Sequence, residues 1–121
     1  MSAKKIYLLE DDPGIRDLVG YLLKANGYDV SMFETVQAFH NGLETSSPNL
    51  FILDISLPDG NGLDVSKKLA ADKQLQKIPI MLMSANHAVE KQAAAAGASA
   101  FVSKPFDIKE FIREVRSLLC E

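Results

Sequence analysis

The sequence predicts an α/β domain whose parallel five-stranded sheet has the order 2-1-3-4-5, with helices on both faces. Three observations predict it. Apolar runs alternate with helix-periodic stretches five times along 121 residues, and strict alternation builds a parallel sheet through right-handed crossovers. The third run, Leu50 to Leu53, is apolar throughout, as a central strand buried on both faces must be. The second, Tyr28 to Phe33, is broken by Asp29 and Ser31, which marks a partly wet strand at a sheet edge.

Each element has its own warrant. Lys5 to Leu9 is the first strand, closed by Glu10-Asp11. Asp12-Pro13 reads as a helix N-cap with proline at the first helical position. Ile15, Leu18, Val19, Leu22 and Leu23 follow at helical spacing, and Asn26-Gly27 stops that helix. Val36, Phe39 and Leu43 mark the second helix, and Ser46-Ser47-Pro48-Asn49 a loop. Gly60-Asn61-Gly62 turns the chain into a third helix carrying Val65 and Leu69. Ile78 to Met83 is expected as the fourth strand, with Pro79 tolerated near its start. A fourth helix is expected from about Ala88 to Ala96 with Gly97 as its C′ residue, and a fifth strand from Ala100 to Ser103. Asp107 and Glu110 suit a capped start for the last helix, whose stripe is Ile108, Phe111, Ile112, Val115, Leu118 and Leu119.

The composition bounds the function. Hydrophobic residues are 47% and charged residues 24%, as in an ordinary soluble globular domain, and the length suits a single domain over 1–121. The net charge of −3 argues against a nucleic-acid binder, whose domains are basic. The run Ile78 to Met83 falls far short of the roughly 18 apolar residues of a membrane span. The apolar run after Lys4-Lys5 ends at Glu10, so no secretory leader is expected. Cys120 is the only cysteine and forms no internal disulfide, which fits a cytoplasmic protein. The run Ala93 to Ala96 reads as closely packed helix.

The chemistry collects at the strand ends. The first strand delivers Glu10 and Asp11, the third Asp54, the fourth Ser84 and the fifth Lys104. Ligands of open α/β sheets bind at the carboxyl ends of the strands. Each residue also has a plain reading: solvated loop for Glu10 and Asp11, cap for Asp12, Asp54 or Ser84, exposed lysine for Lys104. Four strand ends carrying this set together outweigh those readings. Clustered carboxylates repel and call for a hard cation, and Mg²⁺ takes one or two carboxylates and keeps waters. A carboxylate beside that ion can attack phosphorus and become an acyl phosphate. The transferred group spreads charge over its oxygens, and an ammonium and a hydroxyl can each take one.

These residues carry a resemblance. Leu8-Leu9-Glu10-Asp11, Leu53-Asp54 with Leu57-Pro58-Asp59-Gly60-Asn61-Gly62, Ser84-Ala85, Gly97-Ala98 and Lys104-Pro105-Phe106 resemble the receiver domain of two-component response regulators over essentially the whole chain. The resemblance implies a flavodoxin-like (βα)5 three-layer sandwich and Asp54 as phosphoacceptor. It implies Asp11 as a direct Mg²⁺ ligand, Glu10 acting through water, and the Ser56 carbonyl completing the protein ligands, with Mn²⁺ able to replace Mg²⁺. Ser84 becomes the switch hydroxyl, Phe101 the switch aromatic, and Lys104 the phosphoryl contact. The donor would be a sensor histidine kinase or a histidine phosphotransfer protein. The output would lie on the fourth helix, fifth strand and fifth helix, as a phosphorylation-dependent homodimer or a downstream protein contact. Such a domain catalyses only its own phosphorylation and slow dephosphorylation, and binds neither nucleic acid nor membrane.

Departures from the family pattern are legible too. Glu10 stands where aspartate is commoner, and Phe101 lacks the hydroxyl of a tyrosine. The stretch from Ser84 to Lys104 is short for the family, which implies a trimmed start to the fourth helix. A haloacid-dehalogenase-type phosphatase also uses an aspartate after a strand, but needs an acid two residues on, where this chain has Ser56. A flavodoxin-like cofactor binder would need a phosphate-cradling loop after the first strand, where Glu10-Asp11 repels phosphate. His40 and His87 lack any partner motif and read as solvated surface.

Overall fold

The computed structural model describes residues 3–104 and 106–120, the His87 side chain excepted; Pro105 of the Lys104-Pro105-Phe106 motif falls outside the described residues. The strands of its main sheet are β1 (Lys5–Leu9), β2 (Asp29–Phe33), β3 (Leu50–Asp54), β4 (Ile80–Ser84) and β5 (Ala100–Ser103). They pair in parallel in the order β2-β1-β3-β4-β5, the order expected from the sequence. The helices are α1 (Pro13–Ala25), α2 (Val36–Leu43), α3 (Gly62–Ala71), α4 (Glu90–Ala95) and α5 (Ile108–Leu118).

Strand alternation divides the core into two layers. Ile6, Leu8, Leu50, Ile52, Met81 and Met83 point to one face and pack with Val19 and Leu23 of α1 and Phe111, Ile112 and Val115 of α5. Tyr7, Leu9, Phe51, Leu53, Ile80 and Leu82 point to the other, against Phe39 of α2, Val65 and Leu69 of α3 and Ala93 of α4. Central β3 is buried along its whole length, while edge strand β5 is half-buried throughout. Side chains facing both ways from each strand fix the register, because a one-residue slip would exchange the two layers.

The caps follow the sequence in part. Asp12 accepts from Ile15 N at 2.8 Å and Asp107 from Glu110 N at 3.0 Å, and Gly97 ends α4 with φ +89. Some boundaries differ. Tyr28 precedes β2, and Ile78 and Pro79 precede β4, which instead runs through Ser84. The expected helix from Ala88 to Ala96 is shorter: a 3-10 turn at His87–Val89 leads into the six residues of α4. The cause is local. Ser84 Oγ accepts from Asn86 N at 3.0 Å and Asn86 Oδ1 from Ala88 N at 2.9 Å, and such side-chain turns compete with helical bonds. Ser84 therefore closes a turn rather than capping α4, whose start has no side-chain cap.

Between β3 and α3 the chain forms a small antiparallel ladder, Ser56–Leu57 against Gly60–Asn61. Gly62 follows it, so close to the Asp54 carbonyl that a Cβ there would collide with backbone. Only glycine allows that approach.

Candidate functional site

The parallel register aligns the carboxyl ends of four strands. Glu10 follows β1, its N–H donating to Phe33 O at 3.0 Å, and its side chain is 0% exposed. Asp54 is the last residue of β3 and 6% exposed; Ser84 is the last of β4 and 8% exposed. Asp54 pairs in register with Met83, and Lys104 N extends the β4–β5 pairing by donating to Ser84 O at 2.9 Å. Buried polar groups are costly unless partnered, so this end of the sheet is built for them.

The partners are each other. Lys104 Nζ lies 2.6 Å from Glu10 Oε1 and 3.2 Å from Asp54 Oδ1. Carboxylate oxygens of Glu10, Asp11 and Asp54 all lie within 4.8 Å of one another. Glu10 Oε2 also accepts from Asp12 N at 3.1 Å. Asp11 is exposed, at the mouth of the cluster. Burial pushes the Glu10 carboxyl up to about 7, against the smaller opposing effects of the Lys104 and Asp12 bonds. Burial alone would lower the Lys104 ammonium, but its bond to Glu10 and the charge of Asp54 prevail and hold it above the ordinary lysine value.

The structure thus brings Glu10, Asp11, Asp54 and Lys104 together, with Ser84 on the adjoining strand end. Ser56 is exposed on the ladder opposite Asn61. Phe101, in register with Leu82, is half-buried against the core layer beneath α3 and α4. His40 lies in the last turn of α2, half-buried and edge-on to Phe39, rather than fully solvated. His87 lies in the 3-10 turn, its side chain outside what is described. Two residues to which the sequence gives no role of their own bind backbone groups. Arg16 Nη1 donates to the carbonyls of Glu10 at 3.0 Å and Asp11 at 3.2 Å, bracing the backbone under both acids. Its signal was its place one turn after the Asp12 cap. The other is Asp59, whose carboxylate reaches the start of α2; the only signal was its position in the loop after Asp54.

Comparison with known proteins gives the same constellation a context. Residues 6–116 match the family model of the response regulator receiver domain. The chain belongs to that family. Among curated relatives, the DNA-binding dual master transcriptional regulator RpaA of Synechocystis sp. is 32% identical, over 95% of this chain and 48% of its own. The chain spans about half the length of the curated relatives it matches. Among solved structures, a CheY-like response regulator receiver domain protein of Methanospirillum hungatei has a TM-score of 0.89 at 26% identity, covering 98% of this chain and 95% of that one. TrrA of Thermotoga maritima, solved in complex with Mg²⁺-BeF, has a TM-score of 0.86 at 27% identity, covering 95% and 98%. The flavodoxin-like fold of these receiver domains is the fold of this chain.

Proposed function

We propose that residues 1–121 form one receiver domain that takes a phosphoryl group onto Asp54 and in response changes the surface of α4, β5 and α5. The observation that carries the reading is the meeting of three carboxylates and one ammonium at the end of the central strand. One ammonium cannot balance three carboxylates at such range, so the donor set suits a divalent cation. Glu10, Asp11, Asp54 and the Ser56 carbonyl would hold Mg²⁺, with Mn²⁺ as a substitute. The ion supplies charge neutralisation for the carboxylates and for the incoming phosphoryl oxygens.

The chain's own residues do the rest. An Asp54 carboxylate oxygen attacks phosphorus as the bond to the donor breaks, and Lys104 faces the charge gathering on the phosphoryl oxygens. Burial of Asp54 limits the approach of water, which keeps the acyl phosphate long-lived and its loss slow. The donor is a phosphohistidine on a sensor histidine kinase or a histidine phosphotransfer protein. The domain catalyses nothing beyond its own phosphorylation and dephosphorylation. Among the described residues no helix is long and apolar enough to cross a membrane, and we place the domain in the cytoplasm. It binds no nucleic acid itself; its output partner is a second copy or a downstream protein.

Titration with Mg²⁺, followed by amide shifts, tests the site. Asp11→Ala should lose measurable affinity, while Glu10→Ala retains part of it, because a direct ligand counts for more than one acting through water. Equal losses would mean that the inner ligand is misassigned.

The switch has its own test. Ser84 Oγ, now turned to Asn86 N, moves to a phosphoryl oxygen, and Phe101 turns inward into the vacated space. Burying that ring is worth about 2 kcal/mol, enough to bias a two-state surface. Ser84→Ala should be phosphorylated more slowly and show a weak beryllofluoride response on α4, β5 and α5. Wild-type amide shifts confined to the metal site, with Phe101 silent, would make the domain a relay intermediate that does not switch.

A further inference from the structure

α2 begins at Val36 without an acidic residue in its first turn. Thr35 Oγ1 accepts from Ala38 N at 3.1 Å. The two N–H groups nearer the helix start are met from elsewhere in the chain: Val36 N donates to Asp59 Oδ1 at 2.8 Å and Gln37 N to Asp59 Oδ2 at 3.1 Å. Both oxygens of Asp59 are thereby engaged, and its charge sits where a helix N-terminus favours an anion. Those two bonds hold its carboxyl below the ordinary aspartate value.

Asp59 is at the tip of the ladder formed by Ser56–Leu57 and Gly60–Asn61. The base of that hairpin is fixed independently: Gly62 N donates to Ile55 O at 2.8 Å, and Gly62 packs against the Asp54 carbonyl. Near the tip, a Cβ on Gly60 would stand 3.0 Å from Val36 Cγ2, so the hairpin already lies tight against α2. Ser56 therefore sits in a short segment clamped at the base by Asp54 and at the tip by α2. We propose that Asp59 is a positioning residue of the metal site, holding the hairpin so that the Ser56 carbonyl stays in place beside Asp54. The inference rests on the reading of Ser56 as a metal ligand. Groups that orient ligands without touching the ion commonly govern affinity.

The control is built into the same helix. Thr35→Ala removes a cap from α2 without touching the hairpin, whereas Asp59→Ala frees the hairpin as well. Mg²⁺ is titrated into the wild-type chain, Asp59→Ala, Asp59→Asn and Thr35→Ala at 25 °C in about 0.15 M salt, where long-range charge effects are screened. Amide shifts report affinity, and hydrogen exchange reports the Val36 and Gln37 amides. Asp59→Ala should raise the Mg²⁺ Kd roughly tenfold and expose both amides to exchange. Asp59→Asn, which keeps one acceptor, should fall between it and wild type. Thr35→Ala should lower the melting temperature and leave the Kd unchanged. Unchanged affinity in Asp59→Ala with both amides exchanging would overturn the inference and leave Asp59 a helix cap only. Equal weakening in Asp59→Ala and Thr35→Ala would overturn it in favour of a general effect of α2, and equal weakening in Asp59→Asn and Asp59→Ala in favour of charge. A wild type that binds no Mg²⁺ would instead remove the metal reading itself.

Discussion

Lys104→Met is expected to destabilise the metal-free domain by about 3 kcal/mol, the lower end of the range for breaking a buried ion pair from one side, and to abolish its response to beryllofluoride. Glu10 is wholly buried, and Lys104, with 14% of its side chain exposed, is its ion-pair partner at 2.6 Å. Methionine fills similar space but leaves that carboxylate beside Asp54 with no cation. The lower end is expected because Glu10, already pushed up to about 7 by burial, takes a proton once the ammonium is gone. Saturating Mg²⁺ should recover much of the loss, since a cation bound to the same acids replaces the missing charge and stabilises the folded state by mass action. Metal binding itself should persist, because a competing positive charge has left the site. Urea unfolding with and without Mg²⁺ reads the first effect; amide shifts with beryllofluoride read the second. A variant that responds to beryllofluoride as wild type does would contradict the role given to Lys104.

The fold was legible in the sequence where burial dictates composition. Leu50 to Leu53 could only be a central strand, and the wet residues Asp29 and Ser31 placed Tyr28 to Phe33 at an edge, which with the α/β alternation set the observed order. The site was legible as a set, because parallel strands place their ends at one edge. The bonds inside it were not. Lys104 and Glu10 are 94 residues apart, and no local pattern distinguishes an ammonium paired with Glu10 from one waiting in solvent. Asp59 stood only as one letter of the motif after Asp54, because its partners, Val36 and Gln37, are backbone groups 23 and 22 residues away. The shortened α4 was half legible: the Ser84-to-Lys104 spacing announced a trimmed start. Its cause, the paired turns at Ser84 and Asn86, depends on side-chain rotamers that a periodicity argument does not see.

Asp54 is the residue expected to accept the phosphoryl group, and its neighbours leave little competition. Glu10 is buried behind Lys104. Asp12 engages Oδ2 with Ile15 N, and Asp59 both oxygens with α2. Asp11 is exposed to solvent and cation, whereas Lys104 Nζ meets Glu10 and Asp54. Among the described residues Asp54 alone combines the end of the central strand, a direct Lys104 contact and two flanking acids. The most direct measurement is intact mass after incubation with acetyl phosphate, for wild type and Asp54→Ala, with Mg²⁺ and with a chelator. Phosphorylation at Asp54 should add one phosphoryl group to wild type in Mg²⁺, none with the chelator, and none to Asp54→Ala under either condition. Labelling of Asp54→Ala to the level of wild type would contradict it.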